Sequence, residues 1–211
     1  VKVKICGLTN ADDATVAVEA GADAVGFVFH KKSPRCAETA AVKTIVRELP
    51  PFVLPIGVFV NEEPNVVRDV MDSCGLALAQ LHGDETAADC RRSGRPYLRA
   101  ARMAPGIDLL DFARRFSDAQ GLLLDAFVDG YGGGGKVFDW SRVARDVPRP
   151  LVLSGGLHAA NVVAGILQVR PWAVDVSSGV ESAKGIKDAA AMRRFCDAVR
   201  EADARIADTE S

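Results

Sequence analysis

The residues able to do chemistry gather at the ends of short apolar runs. The clearest case is Lys4-Ile5-Cys6-Gly7-Leu8-Thr9, where an apolar run closes on a cysteine and a glycine turns the chain at once. A thiol there can act as a base, a nucleophile or a redox group, or can be a buried filler. Other runs close in similar fashion. One is followed by His30-Lys31-Lys32-Ser33-Pro34-Arg35, others end near Phe59-Val60-Asn61 and at Gln80-Leu81-His82-Gly83, and another carries Arg99 with Arg102 just beyond. Leu122-Leu123-Leu124 closes on Asp125, with Gly132-Gly133-Gly134-Gly135-Lys136 downstream. The last two runs close on Ser154-Gly155-Gly156 and Asp175-Val176-Ser177-Ser178-Gly179. In α/β folds the carboxyl ends of strands are where chemistry is done. Brought to one mouth, these ends would surround a single pocket with a thiol, carboxylates, several cations and two glycine-containing turns.

The elements that must position them follow from the pattern of the chain. Runs at 3–6, 24–29, 53–60, 78–82, 97–101, 121–125, 151–154 and 173–176 are continuously apolar rather than alternating. That is the pattern of strands buried on both faces, hence of a parallel sheet. Helical patterns lie between them near 11–20, 37–48, 64–74, 85–93, 109–116, 140–145, 159–169 and 189–203. Eight strand–helix units in 211 residues predict an α/β protein, a compact single-domain (β/α)8 barrel over 1–204, with a polar, frayed tail at 205–211. An open doubly wound sheet is the main alternative. Eight evenly spaced units favour closure, which leaves no strand edge to protect.

Composition narrows the partners. The net charge is −2 with both signs mixed, so the basic face expected of a nucleic-acid binder is missing. No apolar run reaches membrane-spanning length and the first residues lack a secretory layout, so a soluble, cytoplasmic protein without membrane partners is expected. Monomer and homodimer both stay open. Cys6, Cys36, Cys74, Cys90 and Cys196 are odd in number and include no C-x-x-C pair, so neither a disulfide framework nor a metal site is expected. Cys74, Cys90 and Cys196 sit in or beside helical patterns and read as small buried apolar residues.

The turns after the seventh and eighth runs are where such barrels usually bind phosphate. Glycines let the backbone approach an anion, and amides at a helix N-terminus point at it. Gly155-Gly156 and Ser177-Ser178-Gly179 each precede a predicted helix, so a phosphate-bearing small molecule is the expected ligand.

Assembled in this order, the residues resemble the phosphoribosylanthranilate isomerases of tryptophan biosynthesis. The matches are KICGLT at 4–9, GADAVGFVF at 21–29 with SPR at 33–35, GVFVN at 57–61, QLHGDE at 80–85, LLLDA at 122–126, FDW at 138–140, LSGGL at 153–157 with Asn161, and VDVSSGVE at 174–181 with GIKD at 185–188. The resemblance implies a barrel without a cofactor that carries out an Amadori rearrangement of N-(5-phosphoribosyl)anthranilate. It also implies Asp125 as the general acid that opens the ribose ring and Cys6 as the base that takes the C2 proton. The apolar residues before Asp125 fit the first role, since desolvation favours a protonated carboxyl. Lys4, two residues before Cys6 and on the same strand face, could favour the thiolate or could snorkel at the barrel floor. Arg35 is expected to grip the anthranilate carboxylate by its fork. His82 is expected to contact substrate or to satisfy neighbouring loops, and Asp175 to bond substrate hydroxyls or orient the phosphate turns.

Three positions depart from the family pattern. Gly134 stands where a threonine is usual, Arg99 where a lysine is common, and Cys36 lies outside any motif. The related isomerase of histidine biosynthesis is the nearest alternative. It uses an aspartate at the first strand end and has two phosphate sites, which Cys6 and one clear site argue against. A non-catalytic phosphate-binding barrel is a further alternative, made unattractive by Cys6 and Asp125 together.

Overall fold

The computed structural model describes residues 1–126, 137–144 and 146–210. Eight strands, β1 (Lys2–Cys6), β2 (Ala24–Val28), β3 (Leu54–Phe59), β4 (Leu78–Leu81), β5 (Tyr97–Arg102), β6 (Gly121–Asp125), β7 (Leu151–Leu153) and β8 (Ala173–Val176), close into a parallel barrel in chain order. β8 pairs back onto β1 through Val3↔Val174 and Lys4↔Asp175, so no barrel edge stays open. Outside lie α1 (Ala11–Ala20), α2 (Thr39–Glu48), α3 (Pro64–Cys74), α4 (Ala87–Arg92), α5 (Leu109–Arg115), α6 (Val162–Val169) and α7 (Ala189–Glu210). A short antiparallel hairpin, β9 (Glu181–Ala183) and β10 (Ile186–Lys187), precedes α7.

The two faces of the strands have different work. A small apolar cluster of Ala24, Ile56, Leu98, Ala100, Leu123, Val152 and Ala173 fills the barrel interior. A larger one, including Phe27, Phe59, Leu81, Leu122, Leu124, Leu153, Val174 and Phe195, joins the strands to the helices. Residues in register on parallel neighbours share a face, and the face alternates every residue. Counting by twos from the interior cluster reaches Lys4 and Cys6 on β1, Gln80 on β4 and His82 just past it, Arg102 on β5, Asp125 on β6 and Asp175 on β8. The upper interior row is therefore polar, and it lies at the carboxyl ends of the strands.

Five expectations need correction. The helix expected at 140–145 is a single 3₁₀ turn, Trp140–Arg142. Asp139 Oδ1 accepts from Ser141 N, and Val143 is already extended. Trp140 packs instead against Gly165 of α6. The helix expected from Glu85 starts at Ala87, because Thr86 and Asp89 form its capping box and Glu85 is used elsewhere. α2 and α6 likewise open two and three residues later than the pattern suggested, at Thr39 and Val162 rather than at 37 and 159. The frayed tail is the end of α7, which continues to Glu210. There Ile206 packs on the core, Arg205 pairs with Glu201 and Thr209 Oγ1 donates to Ile206 O. The glycine loop at 132–136, Gly134 included, lies outside the described residues. Among the described residues no helix is long and apolar enough to cross a membrane.

Candidate active site

Cys6 ends β1 inside the barrel and is 6 % exposed. Gly26 on β2 makes its room: a Cβ there would stand 2.8 Å from Cys6 Sγ and 3.1 Å from Lys4 Nζ. Lys4 does not snorkel. It is 3 % exposed, and its ammonium donates to Asp175 Oδ1 at 2.8 Å. Ser154 Oγ donates to Asp175 Oδ2 at 3.0 Å, so both oxygens of this carboxylate are engaged by protein. Burial alone would lower the Lys4 ammonium, but Asp175 and Cys6 outweigh it and hold it above its ordinary value. For Cys6 the balance goes the other way. Burial pushes the thiol up, and the ammonium of Lys4 beside it only reduces the shift. Of the two roles left open for Lys4, favouring the thiolate has the correct sign, and its size does not overcome desolvation.

Removing Lys4 should be costly in stability. Lys4→Met would leave Asp175 buried without its ion-pair partner, and breaking one side of a buried pair costs about 3–5 kcal/mol. Urea unfolding should show a midpoint lowered accordingly, with an unchanged slope.

Asp125 ends β6 and is 7 % exposed. Its Oδ1 accepts from the Ala126 amide at 2.9 Å, and its Oδ2 lies 3.0 Å from His82 Nε2. His82 Nδ1 in turn lies 2.8 Å from Gln80 Nε2. With the Gln80 amide N–H donating to Nδ1, His82 bears its proton on Nε2 and donates a hydrogen bond to Asp125 Oδ2, whose other lone pair is left for the proton of the carboxyl. Of the two uses expected for His82, the structure adds a third: it joins Gln80 to Asp125 across the interior row. Gly155 closes the other side. Its φ of +81° suits glycine, and a Cβ there would overlap Ala126 N and fall 2.9 Å from Asp125 Oδ1. The turn after β7 therefore backs directly onto the carboxyl at the end of β6.

The two glycine turns abut. A Cβ on Gly179 would overlap Leu157 O, so the turn after β8 packs backbone to backbone against the loop after β7. Gly155-Gly156 lead into α6 as expected, with Asn161 Nδ2 donating to Gly156 O and Asn161 Oδ1 accepting from His158 N. Ser177-Ser178 do not open a long helix. Ser178–Val180 is one 3₁₀ turn, followed by the β9–β10 hairpin.

Arg35 stands beside the second turn, and its partner was missed by sequence reasoning. Its Nε and Nη2 donate to Glu181 Oε1 and Oε2 at 2.7 and 2.8 Å. Lys187 Nζ donates to the same Oε1 at 2.9 Å and to Ser177 O at 3.0 Å. Burial opposes ionisation of Glu181, yet the two cations hold its carboxyl below its ordinary value. Both residues sat inside recognised motifs, VDVSSGVE and GIKD, but nothing in the spacing tells which cation faces which carboxylate.

Arg99 does not line the mouth. It points outward from β5, over the Phe116 ring at 4.9 Å, and donates to Leu81 O, Gly83 O and Glu85 O. With Glu85, which accepts from the amides of Asn61 and Gly83, it braces the loop that carries His82. Arg102 does lie on the interior face and pairs with Asp84. Cys36 forms an isolated parallel β-bridge with Val28, next to Arg35. Cys74, Cys90 and Cys196 are buried fillers as expected. Among the described residues no group of three His, Cys, Asp or Glu side chains could hold a metal ion.

The chain has known relatives in sequence and in fold. Residues 3–198 match the family model described as N-(5'-phosphoribosyl)anthranilate (PRA) isomerase. The N-(5'-phosphoribosyl)anthranilate isomerase of Methylibium petroleiphilum is 65% identical over 209 residues, covering 99% of this chain and 98% of the relative. The solved phosphoribosyl anthranilate isomerase of Thermotoga maritima superposes with a TM-score of 0.89 at 45% identity, over 95% of this chain and 99% of that one. A solved isomerase in complex with reduced 1-(o-carboxyphenylamino)-1-deoxyribulose 5-phosphate superposes with a TM-score of 0.86 at 43% identity, again over 95% and 99%. With a whole-chain match in sequence and in fold, the chain belongs to the N-(5'-phosphoribosyl)anthranilate isomerase family.

Proposed function

We propose that Asp125 and Cys6 are the acid and the base of the Amadori rearrangement that converts N-(5'-phosphoribosyl)anthranilate to 1-(2-carboxyphenylamino)-1-deoxyribulose 5-phosphate. Asp125 gives a proton to the ribose ring oxygen, and the ring opens to a Schiff base. The Cys6 thiolate removes the C2 proton, leaving an enolamine that tautomerises to the ketone. The observation that carries this reading is the shared interior row: β1 and β6, three strands apart round the ring, each end a polar side chain in the same mouth. Asp175 serves the base indirectly, by holding Lys4 beside it. Gly155-Gly156 and Ser177-Ser178 bind the phosphate, in keeping with two abutting turns between Asp125 and Cys6. Arg35 offers its remaining edge to the anthranilate carboxylate, since Glu181 occupies the Nε–Nη2 edge.

A crystal structure with the reduced product analogue tests the arrangement. The phosphate is expected within hydrogen-bond reach of the Gly156 and Ser178 amides, the sugar between Cys6 and Asp125. A phosphate bound anywhere else overturns the site.

A further inference from the structure

Arg35, Glu181 and Lys187 form a cluster that acid–base chemistry does not use. Arg35 is 8 % exposed and Lys187 6 %, so two cations are buried around one carboxylate. Buried charges are ordinarily matched, and here one positive charge is left over. The geometry is also directional. A guanidinium is planar, and two short bonds to one carboxylate fix its plane and its rotation. Among the described residues no acceptor takes Nη1, so the outer edge of the fork is the edge presented. An Arg35–Glu181 pair alone would be neutral and would attract a second carboxylate weakly. Lys187 restores the surplus by sharing Glu181 Oε1, and it anchors the cluster to the Ser177 turn.

We infer that Glu181, balanced by Lys187, is a specificity-determining residue: it orients Arg35 and so sets the preference for a ligand bearing a ring carboxylate. The inference rests on the reading that Arg35 meets that carboxylate. It assigns the selectivity to a carboxylate that carries the same sign of charge as the ligand group and works only through the fork it aligns.

Two ligands separate the possibilities: reduced 1-(o-carboxyphenylamino)-1-deoxyribulose 5-phosphate and its counterpart without the ring carboxyl. Their Kd values would be measured by calorimetry for the wild type, Glu181→Gln and Glu181→Asp. The wild type should prefer the carboxylated ligand. Glu181→Gln should shrink that preference roughly tenfold, the scale of a charged hydrogen bond, while the Kd of the other ligand stays put. Glu181→Asp keeps the charge but is one methylene short of spanning the fork, and should lose part of the preference. It also keeps the test decisive if the glutamine variant fails to fold. Equal weakening of both ligands would mark Glu181 as structural only and overturn the inference, as would an intact preference in both variants. A wild type without any preference instead overturns the reading of Arg35 itself.

Discussion

Asp125→Asn is expected to lower kcat for N-(5'-phosphoribosyl)anthranilate by at least about 10²–10⁴-fold, the usual yield of one positioned proton transfer. The substitution removes the transferable proton and little else. An asparagine oxygen can still accept from the Ala126 amide, as Oδ1 does now at 2.9 Å. Its amide would then face His82 Nε2, 3.0 Å from the present Oδ2. His82 can receive that donor by moving its own proton to Nδ1, and Gln80 can receive Nδ1–H by rotating its amide, whose Oε1 is at present buried without a partner. The row from Gln80 through His82 to the new asparagine thus stays bonded with every dipole reversed. Product-analogue affinity and the unfolding midpoint should therefore remain near wild type while turnover collapses. Loss of substrate fluorescence is the assay, and near-normal turnover would remove Asp125 from the mechanism.

How much of this was legible in the sequence depends on whether a property is local. Strand positions were, because runs such as Leu122-Leu123-Leu124 are apolar without a break and end at a polar residue that must sit at the barrel rim. That Cys6 and Asp125 stand at strand ends was legible for the same reason. The direction of Arg99 was not, although a signal existed. Residues 99 and 102 have opposite parity on one strand, so only one of them can face inward, and the in-register partner Leu81 of Arg99 belongs to the outer core. The 3₁₀ turn at Trp140 was signalled only by Asp139, whose side chain takes the Ser141 amide. The bond from Arg35 to Glu181 spans 146 positions and depends on how the loops after β2 and β8 meet. Nothing in single-sequence spacing encodes that meeting. Nor does spacing weigh burial against a nearby cation, which is what decides the state of Cys6.

That last balance has a measurable consequence. A base must be deprotonated to act, and burial raises the Cys6 thiol above its ordinary value despite Lys4. In the free enzyme the thiolate is then a minor species at neutral pH. Below the thiol's pKa its fraction grows tenfold per pH unit, and above it the fraction saturates. Because kcat/KM reports the free enzyme, it should keep climbing on the alkaline side past the range of an ordinary thiol, about 8.5. Cys6→Ala should abolish the climb and lower the rate by about 10²–10⁴-fold. Cys6→Ser should retain weak activity, an alcohol being a far poorer base. Lys4→Met supplies the internal control, assayed at a temperature where the variant remains folded. Without the ammonium that opposes the shift, the alkaline rise should move to still higher pH while Cys6 stays in place. A wild-type profile already flat at neutral pH would mean that the thiolate is formed before substrate arrives, and that some group other than Lys4 outweighs the burial of Cys6. A profile unchanged in Cys6→Ala would remove the thiol from proton transfer altogether. The rise and its displacement by Lys4→Met together separate a base limited by desolvation from one limited by position, since a misplaced thiol would lose rate at every pH without moving the midpoint.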